Sequence, residues 1–124
     1  MRERTRIIKY EIGCILAHKL ELGFLAADEH HLTFGGKHGG KRLGHDFTVG
    51  LNQWSHQGYT LPGWTREKCE RLLGPSYAIE PDAFRSIWTD TGNAEDAQDA
   101  MLEYQNRLIA DHSRTTSIYP WRAR

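Results

Sequence analysis

Five of the seven histidines lie in one stretch between Asp28 and Gly58: His30, His31, His38, His45 and His56. The stretch opens with a histidine pair, continues through a loop rich in glycine and basic residues, and closes on a single histidine. Neutral imidazole binds metal ions, and an imidazole that titrates near neutral pH also accepts a proton from water. The order therefore indicates a site in which one histidine holds a divalent ion and its neighbour acts as a general base.

Strand geometry leaves two interpretations of the His30–His31 pair. Adjacent side chains on a strand point to opposite faces, so one interpretation is that only one histidine is functional and the other packs. The second is that a bulge or a strand end turns both toward one cavity. The basic residues of the glycine-rich loop also have two interpretations, as phosphate contacts or as part of a solvated turn. These residues are Lys37, Lys41 and Arg42.

A hairpin followed by a helix is needed to bring the histidines together. Residues 28–34 are predicted as the first strand, and residues 46–51, which alternate apolar and polar side chains, as the second. Glycine dominates residues 35–44 and excludes regular structure there. Residues 52–58 are predicted to begin a helix or a tight turn that returns His56 to the hairpin.

The remaining segments are predicted to be mainly helical. Residues 1–9 form a basic strand or a loose arm, and the apolar spacing of Ile12, Ile15, Leu16, Leu20 and Phe24 predicts a helix over about 14–22. Further helices are predicted over 65–73, with Thr65 as cap and Gly74-Pro75 as stop, over 82–88, with Asp82 as cap, and over 94–112, with a tail from 113 that has no periodicity.

Length and composition set the broad class. The 124 residues fit one domain, 1–124, with a site core at 28–58, helical support at 65–112 and a polar tail. Sixteen basic and sixteen acidic residues cancel, so net charge does not indicate a nucleic-acid partner. The absence of a long apolar run or signal segment, and of paired cysteine spacing, predicts a cytoplasmic protein with no membrane span and two buried thiols, Cys14 and Cys69.

A set of short motifs carries a family resemblance: Gly13-Cys14-Ile15, His30-His31-Leu32, Gly40-Lys41-Arg42, Gly44-His45, Thr48-Val49-Gly50-Leu51, Trp54 and His56, with Gly74-Pro75-Ser76 and the Phe84 region later. Together they resemble the phage recombination-enhancement nucleases, the Ref-type, RecA-dependent branch of the HNH superfamily. The resemblance implies an α+β fold: a small single domain with a ββα-metal (HNH-like) hairpin-helix core surrounded by helices.

The resemblance also implies a function. It implies a metal-dependent DNA endonuclease that hydrolyses phosphodiester bonds with low sequence specificity, recruited by RecA filaments in phage recombination and acting in the host cytoplasm. His30 and His56 are then metal ligands, His31 the general base, Asp28 an acid that binds or orients, and His45 a second catalytic candidate. The expected ion is Mg²⁺ or Mn²⁺, with Zn²⁺ as the alternative. The competing hypothesis is a non-catalytic DNA- or protein-binding module on a degenerate nuclease scaffold.

One departure from the family concerns structural zinc. Relatives often carry a Cys-x-x-Cys knuckle that pairs with a second Cys/His pair, but the corresponding positions here are Cys14, Ala17, Asn52 and Ser55. Tetrahedral zinc needs four ligands, so no structural zinc is expected. Trp54 is expected in the core, and His18 and His112 are expected to be surface or core residues with no role in the site.

Overall fold

A two-stranded antiparallel sheet, with helices packed around it, organises the part of the chain that the computed structural model describes, residues 2–32 and 47–118. The fold is α+β, as predicted. The strands are β1 (Asp28–His31) and β2 (Thr48–Leu51). The helices are α1 (Glu3–Arg6), which continues as a π-helical segment (Ile7–Ile12), α2 (Ile15–Lys19), α3 (Gln53–Gln57), α4 (Arg66–Leu73), α5 (Pro81–Trp88) and α6 (Ala94–Ile118).

The register of the hairpin sets His30 opposite Val49. β2 is buried along its whole length, whereas β1 is half-buried or exposed, so β1 is the strand that presents polar side chains. Both strands are shorter than the predicted 28–34 and 46–51. The predicted loop at 35–44 lies outside the described residues.

Side chains from both ends of the chain satisfy the outer edge of β2. The Gly50 N–H donates to Gln105 Oε1 over 2.7 Å. The Arg4 guanidinium donates to the Thr48 carbonyl over 2.6 Å and to the Thr48 hydroxyl over 2.9 Å. Arg4 also donates to Asn106 Oδ1 over 2.9 Å. These contacts take up polar groups that an open sheet edge would offer to another strand.

The prediction for residues 1–9, a strand or a loose arm, is wrong. The segment is helical, and Ile7, Ile8 and Ile12 are buried. A hydrogen bond of 2.8 Å from the Gly13 N–H to the Ile8 carbonyl spans five residues and closes the π-helical segment. Burial of three isoleucines against the sheet outweighs the preference of β-branched side chains for strands.

Two glycines allow the π-helical segment to lie against the sheet. Gly13 has a φ of 75°, and a Cβ there would collide with the Leu25 carbonyl oxygen. A Cβ at Gly50 would lie 2.7 Å from Ile8 Cγ2 and 2.9 Å from the Gly13 carbonyl oxygen. Both positions therefore exclude a side chain, one for its backbone conformation and both for lack of space.

The α4 prediction is confirmed, and the α5 prediction is confirmed except for its cap. Thr65 caps α4, and its hydroxyl accepts a hydrogen bond of 3.1 Å from the Lys68 N–H. α5 begins at Pro81, whose missing N–H costs nothing at the first helical position. Asp82 therefore lies inside the first turn, where it pairs with Arg85 at 2.9 Å, and is not the cap.

α6 is longer than the predicted 94–112. It continues to Ile118, so the predicted end of the helix at residue 112 is wrong. Ala97 and Met101 are buried on its inner face. Neither α6 nor any other helix within the described ranges is long and apolar enough to cross a membrane.

The main apolar cluster joins the sheet to α2, α5 and α6, and a smaller one lies under α4. Cys14 belongs to the first cluster and Cys69 to the second, and both are buried free thiols, as predicted. Leu20 and Phe24 were expected on the buried face of a longer α2. They are 40% and 55% exposed instead, because α2 ends at Lys19.

Candidate functional site

β1 and α3 bring two imidazoles into contact. The ring centroids of His30 and His56 lie 4.1 Å apart, with an angle of 61° between the ring planes. His30 belongs to the first strand of the hairpin, and His56 to the helix that directly follows the second strand. The sequence-based expectation that these two histidines face one cleft is therefore met by the geometry.

The position of His56 depends on how α3 is capped. Asn52 begins the helix, and its Oδ1 accepts a hydrogen bond of 2.8 Å from the Ser55 N–H. Gly58 ends it in the left-handed conformation. Trp54 is buried on the other side of the helix and donates through Nε1 to the Gly74 carbonyl over 3.0 Å, so its predicted core role is confirmed. The helix is thus fixed with His56 on its accessible side.

The positions of the missing zinc knuckle form a buried hydrogen-bonded group. Asn52 Nδ2 donates to Cys14 Sγ over 3.1 Å and to Ser55 Oγ over 3.0 Å. All three residues have no exposed surface, and Ala17 is equally buried. An amide with two acceptors here links the N-terminal region to the site helix without a metal ion.

This group leads to a prediction about metal content. We expect Cys14→Ser to retain whatever divalent ion the wild-type protein binds, because Asn52 already uses the sulfur as a hydrogen-bond acceptor. His30→Ala is expected to lose that ion. Metal content per chain after dialysis is the measurement. Tightly held zinc that survives His30→Ala and disappears in Cys14→Ser would contradict the expectation.

A cavity of about 350 Å³ opens beside the imidazole pair. His30, His31 and His56 all contribute to its lining, although the regular register of β1 puts the side chains of His30 and His31 on opposite faces of the strand. Burial lowers the pKa of His56 below the ordinary imidazole value, and the charge of Asp28 opposes this shift. His56 is therefore neutral, as metal binding requires, at lower pH than a solvent-exposed histidine.

Asp28 does not line this cavity. Its side chain is exposed and borders a separate depression next to Gln53 and Trp64. The described residues thus connect Asp28 to the site through its charge on His56 alone. The other predicted site residues lie outside the described ranges: Lys37, His38, Lys41, Arg42 and His45.

Glu29 is a site residue that the sequence analysis missed. It lines the cavity, and its side chain is only 10% exposed. Oε1 accepts a hydrogen bond of 2.8 Å from the Thr5 hydroxyl and lies 3.8 Å from an Arg2 nitrogen. Among the described residues, Oε2 has no hydrogen-bond partner. Alternation along β1 places the Glu29 side chain on the face opposite His30, so its carboxylate is held by the N-terminal region and not by the imidazole pair.

The imidazole pair fits a divalent ion as two of its ligands. Two imidazoles on one ion, with metal–nitrogen distances near ~2.0 Å, have centroids about 4.5–5 Å apart, close to the observed separation. Within residues 2–32 and 47–118, no group of three or more histidine, cysteine, aspartate or glutamate side chains is arranged to hold a metal. Two imidazoles would leave the remaining positions of an ion to water and phosphate oxygens, which are the ligands that Mg²⁺ and Mn²⁺ prefer, whereas imidazole itself is typical of zinc.

Two further histidines link elements of the fold, a role that was not predicted. His18 Nε2 lies 2.8 Å from the Ile12 carbonyl oxygen, and His112 Nε2 lies 2.6 Å from Glu11 Oε1. The first contact ties α2 to the π-helical segment, and the second ties the π-helical segment to α6. Neither histidine lines the cavity beside His30.

A strand–strand–helix unit thus presents one imidazole from its first strand and another from its helix. No family model matches the chain, and no curated protein and no solved structure has significant similarity to it.

Proposed function

We propose that this protein is a metal-dependent phosphodiester hydrolase that cuts DNA, of the HNH type and related to the Ref-type nucleases. The observation that carries the proposal is the contact between His30 and His56 at a cavity that His31 also lines. Three imidazoles around one opening provide two metal ligands and a proton acceptor, which is the minimum set for hydrolysis assisted by a divalent ion.

Each histidine has a distinct role in the proposal. His30 and His56 hold the ion, Mg²⁺ or Mn²⁺ in preference to Zn²⁺, and the lowered pKa of His56 keeps that ligand neutral. A bound ion would stabilise negative charge on the phosphate and on the leaving oxygen. His31 accepts the proton of the attacking water, with His45 as the second candidate for this role.

DNA contacts in this proposal come from the basic loop. Lys37, Lys41 and Arg42 bind backbone phosphates, which positions the strand without reading its sequence. A protein with no net charge and few phosphate contacts binds DNA weakly by itself. Recruitment by a RecA filament, which the family resemblance implies, would compensate for this weakness.

A non-catalytic binding module is the second candidate. The observation that favours it is the pair of ligands at the site, where the described residues supply no third. In this alternative the hairpin and the loop bind DNA or a protein, and the imidazole pair has lost its catalytic use.

The test compares His56→Gln with His18→Gln, because both change one histidine and only the first changes the site. Plasmid DNA is incubated with Mg²⁺ or Mn²⁺, with and without EDTA, and in parallel with RecA filaments. We expect wild-type protein and His18→Gln to cleave DNA in a reaction that EDTA stops, and His56→Gln to be inactive. Cleavage that persists in His56→Gln contradicts the site, and binding without cleavage under every condition supports the module.

A further inference from the structure

The cavity beside the imidazole pair extends well beyond the groups that hydrolysis needs. Its inner wall is apolar and comes from α5, α6 and the hairpin, through Phe84, Ala97, Met101, Leu32 and Leu51. A metal ion and a water molecule require none of these side chains. The volume of about 350 Å³ lies at the lower end of the range for small-molecule pockets.

Aromatic edges border the entrance to this apolar region. Tyr77 and Phe84 both line the cavity, and their rings meet edge to face with centroids 5.8 Å apart. Tyr77 is 41% exposed, while Phe84 is buried. A planar ligand that passes Tyr77 would therefore enter a space walled by aromatic and aliphatic side chains.

Polar side chains on the same cavity narrow the choice of ligand. His30 and His56 lie beside the apolar wall, and Arg85 and Gln98 also line the cavity. An aliphatic ligand would bring only apolar atoms against these polar groups, whereas a flat ring with polar atoms at its edge fills the apolar space and offers hydrogen-bond partners.

We propose that the cavity binds one nucleobase, from the nucleotide whose phosphate lies at His30 and His56. This inference rests on the proposed function, because it takes DNA as the substrate. A base reaches the cavity only after it leaves the helical stack, so the substrate is a single strand, a strand end or an unpaired nucleotide, and intact duplex reacts poorly.

The first test uses Met101 as a probe. Met101 lines the cavity, so protein labelled with ¹³C at the methionine methyl groups carries a reporter signal there, which the variant Met101→Leu identifies. Titration with deoxyguanosine 5′-monophosphate is expected to shift the Met101 signal in a saturable way. Titration with 2-deoxyribose 5-phosphate, which lacks the base, is expected to leave it in place. Equal shifts with both ligands, or none with the nucleotide, would overturn the proposal.

A cavity-blocking variant gives the second test. Ala94 is exposed at the start of α6 and lines the cavity, so Ala94→Phe places a ring at its mouth. Ala110→Phe, at an exposed position on the same helix away from the cavity, is the matched control. We expect Ala94→Phe to abolish the nucleotide-dependent shift and to slow cleavage of a single-stranded oligonucleotide about 5- to 100-fold, the range expected for loss of one stacked base.

An oligonucleotide with abasic sites distinguishes contacts with the base from contacts with the backbone. Ala94→Phe and wild-type protein are expected to cleave it at the same slow rate, and a further loss in the variant would show that the ring obstructs the backbone instead. Nucleotide binding without any cleavage would support the cavity and reject the proposed function. Cleavage that EDTA stops, with Ala94→Phe as fast as wild type, would support the function and reject the nucleobase site.

Discussion

Replacement of His31 by alanine is expected to reduce the single-turnover rate of DNA cleavage by about 10²–10⁴-fold, the contribution typical of one positioned general base. His30 and His56 remain in this variant, so the metal ion should still bind. Cleavage and metal binding are therefore measured on the same preparations, with His18→Ala as the control because His18 contacts the Ile12 carbonyl and not the cavity.

The pH dependence separates this role from a structural one. Activity should rise with pH as an imidazole loses its proton, since only the neutral ring accepts a proton from water. The pKa of His56 is lowered by burial, so its protonation, and the loss of metal that follows, occurs below the ordinary imidazole value of about 6.5. Metal binding should therefore persist below that value in both proteins, and the rise of activity with pH should be absent from His31→Ala.

Two results would change the assignment of His31. If His31→Ala loses the metal ion together with its activity, His31 is a ligand and His45 becomes the candidate base. If His31→Ala cleaves at the wild-type rate, the assignment of a catalytic site to these histidines is wrong, and the result favours the non-catalytic binding module. Partial recovery of the alanine variant by added imidazole would support the role as a base.

Replacement of Gly13 by alanine is expected to lower the free energy of unfolding by at least about 3 kcal/mol, at the upper end of the range for single substitutions. The position combines a φ of 75° with a collision between the new Cβ and the Leu25 carbonyl oxygen. That oxygen also accepts a hydrogen bond of 2.9 Å from the Cys14 N–H, so it cannot move without loss of this contact. Chemical denaturation followed by circular dichroism measures the effect.

Gly23 provides the matched control for Gly13. It has a similar positive φ, 84°, but a Cβ there would meet no atom within 4 Å. Gly23→Ala should therefore lose only the backbone term, about 1–2 kcal/mol. Equal losses in the two variants would show that the Leu25 carbonyl is easily displaced and that space at Gly13 is not limiting.

The sequence predicts the centre of the site well, because its signals are local. His30 and His56 bracket a hairpin with a recognisable second strand, and the cap at Thr65 and the apolar face of α6 follow standard patterns. Strand alternation alone could not decide whether His30 and His31 share a cavity. In the structure both residues contribute to the lining of one cavity, and the register of β1 is regular.

Polar residues whose partners are distant in sequence were not predictable. Gln105 is fully buried because it bonds Gly50, 55 residues away, and nothing in the local pattern of α6 marks it as different from its exposed neighbours. The prediction for residues 1–9 was wrong for a related reason, because a basic stretch that contains isoleucines is also typical of a strand. Glu29 was detectable by its alternation with His31, but its burial depends on contacts from α1.

The outer edge of β2 is covered only when two segments far apart in the chain have both reached it. Its polar groups are satisfied by Arg4 and by Gln105, which the ribosome adds much later. A nascent chain whose α6 is still inside the ribosome therefore carries a sheet with one unpaired edge. Such a strand pairs readily with another extended segment. Translation pauses before residue 105 should thus favour capture by a chaperone or intermolecular β-pairing, and folding of the site should be completed only after α6 has emerged.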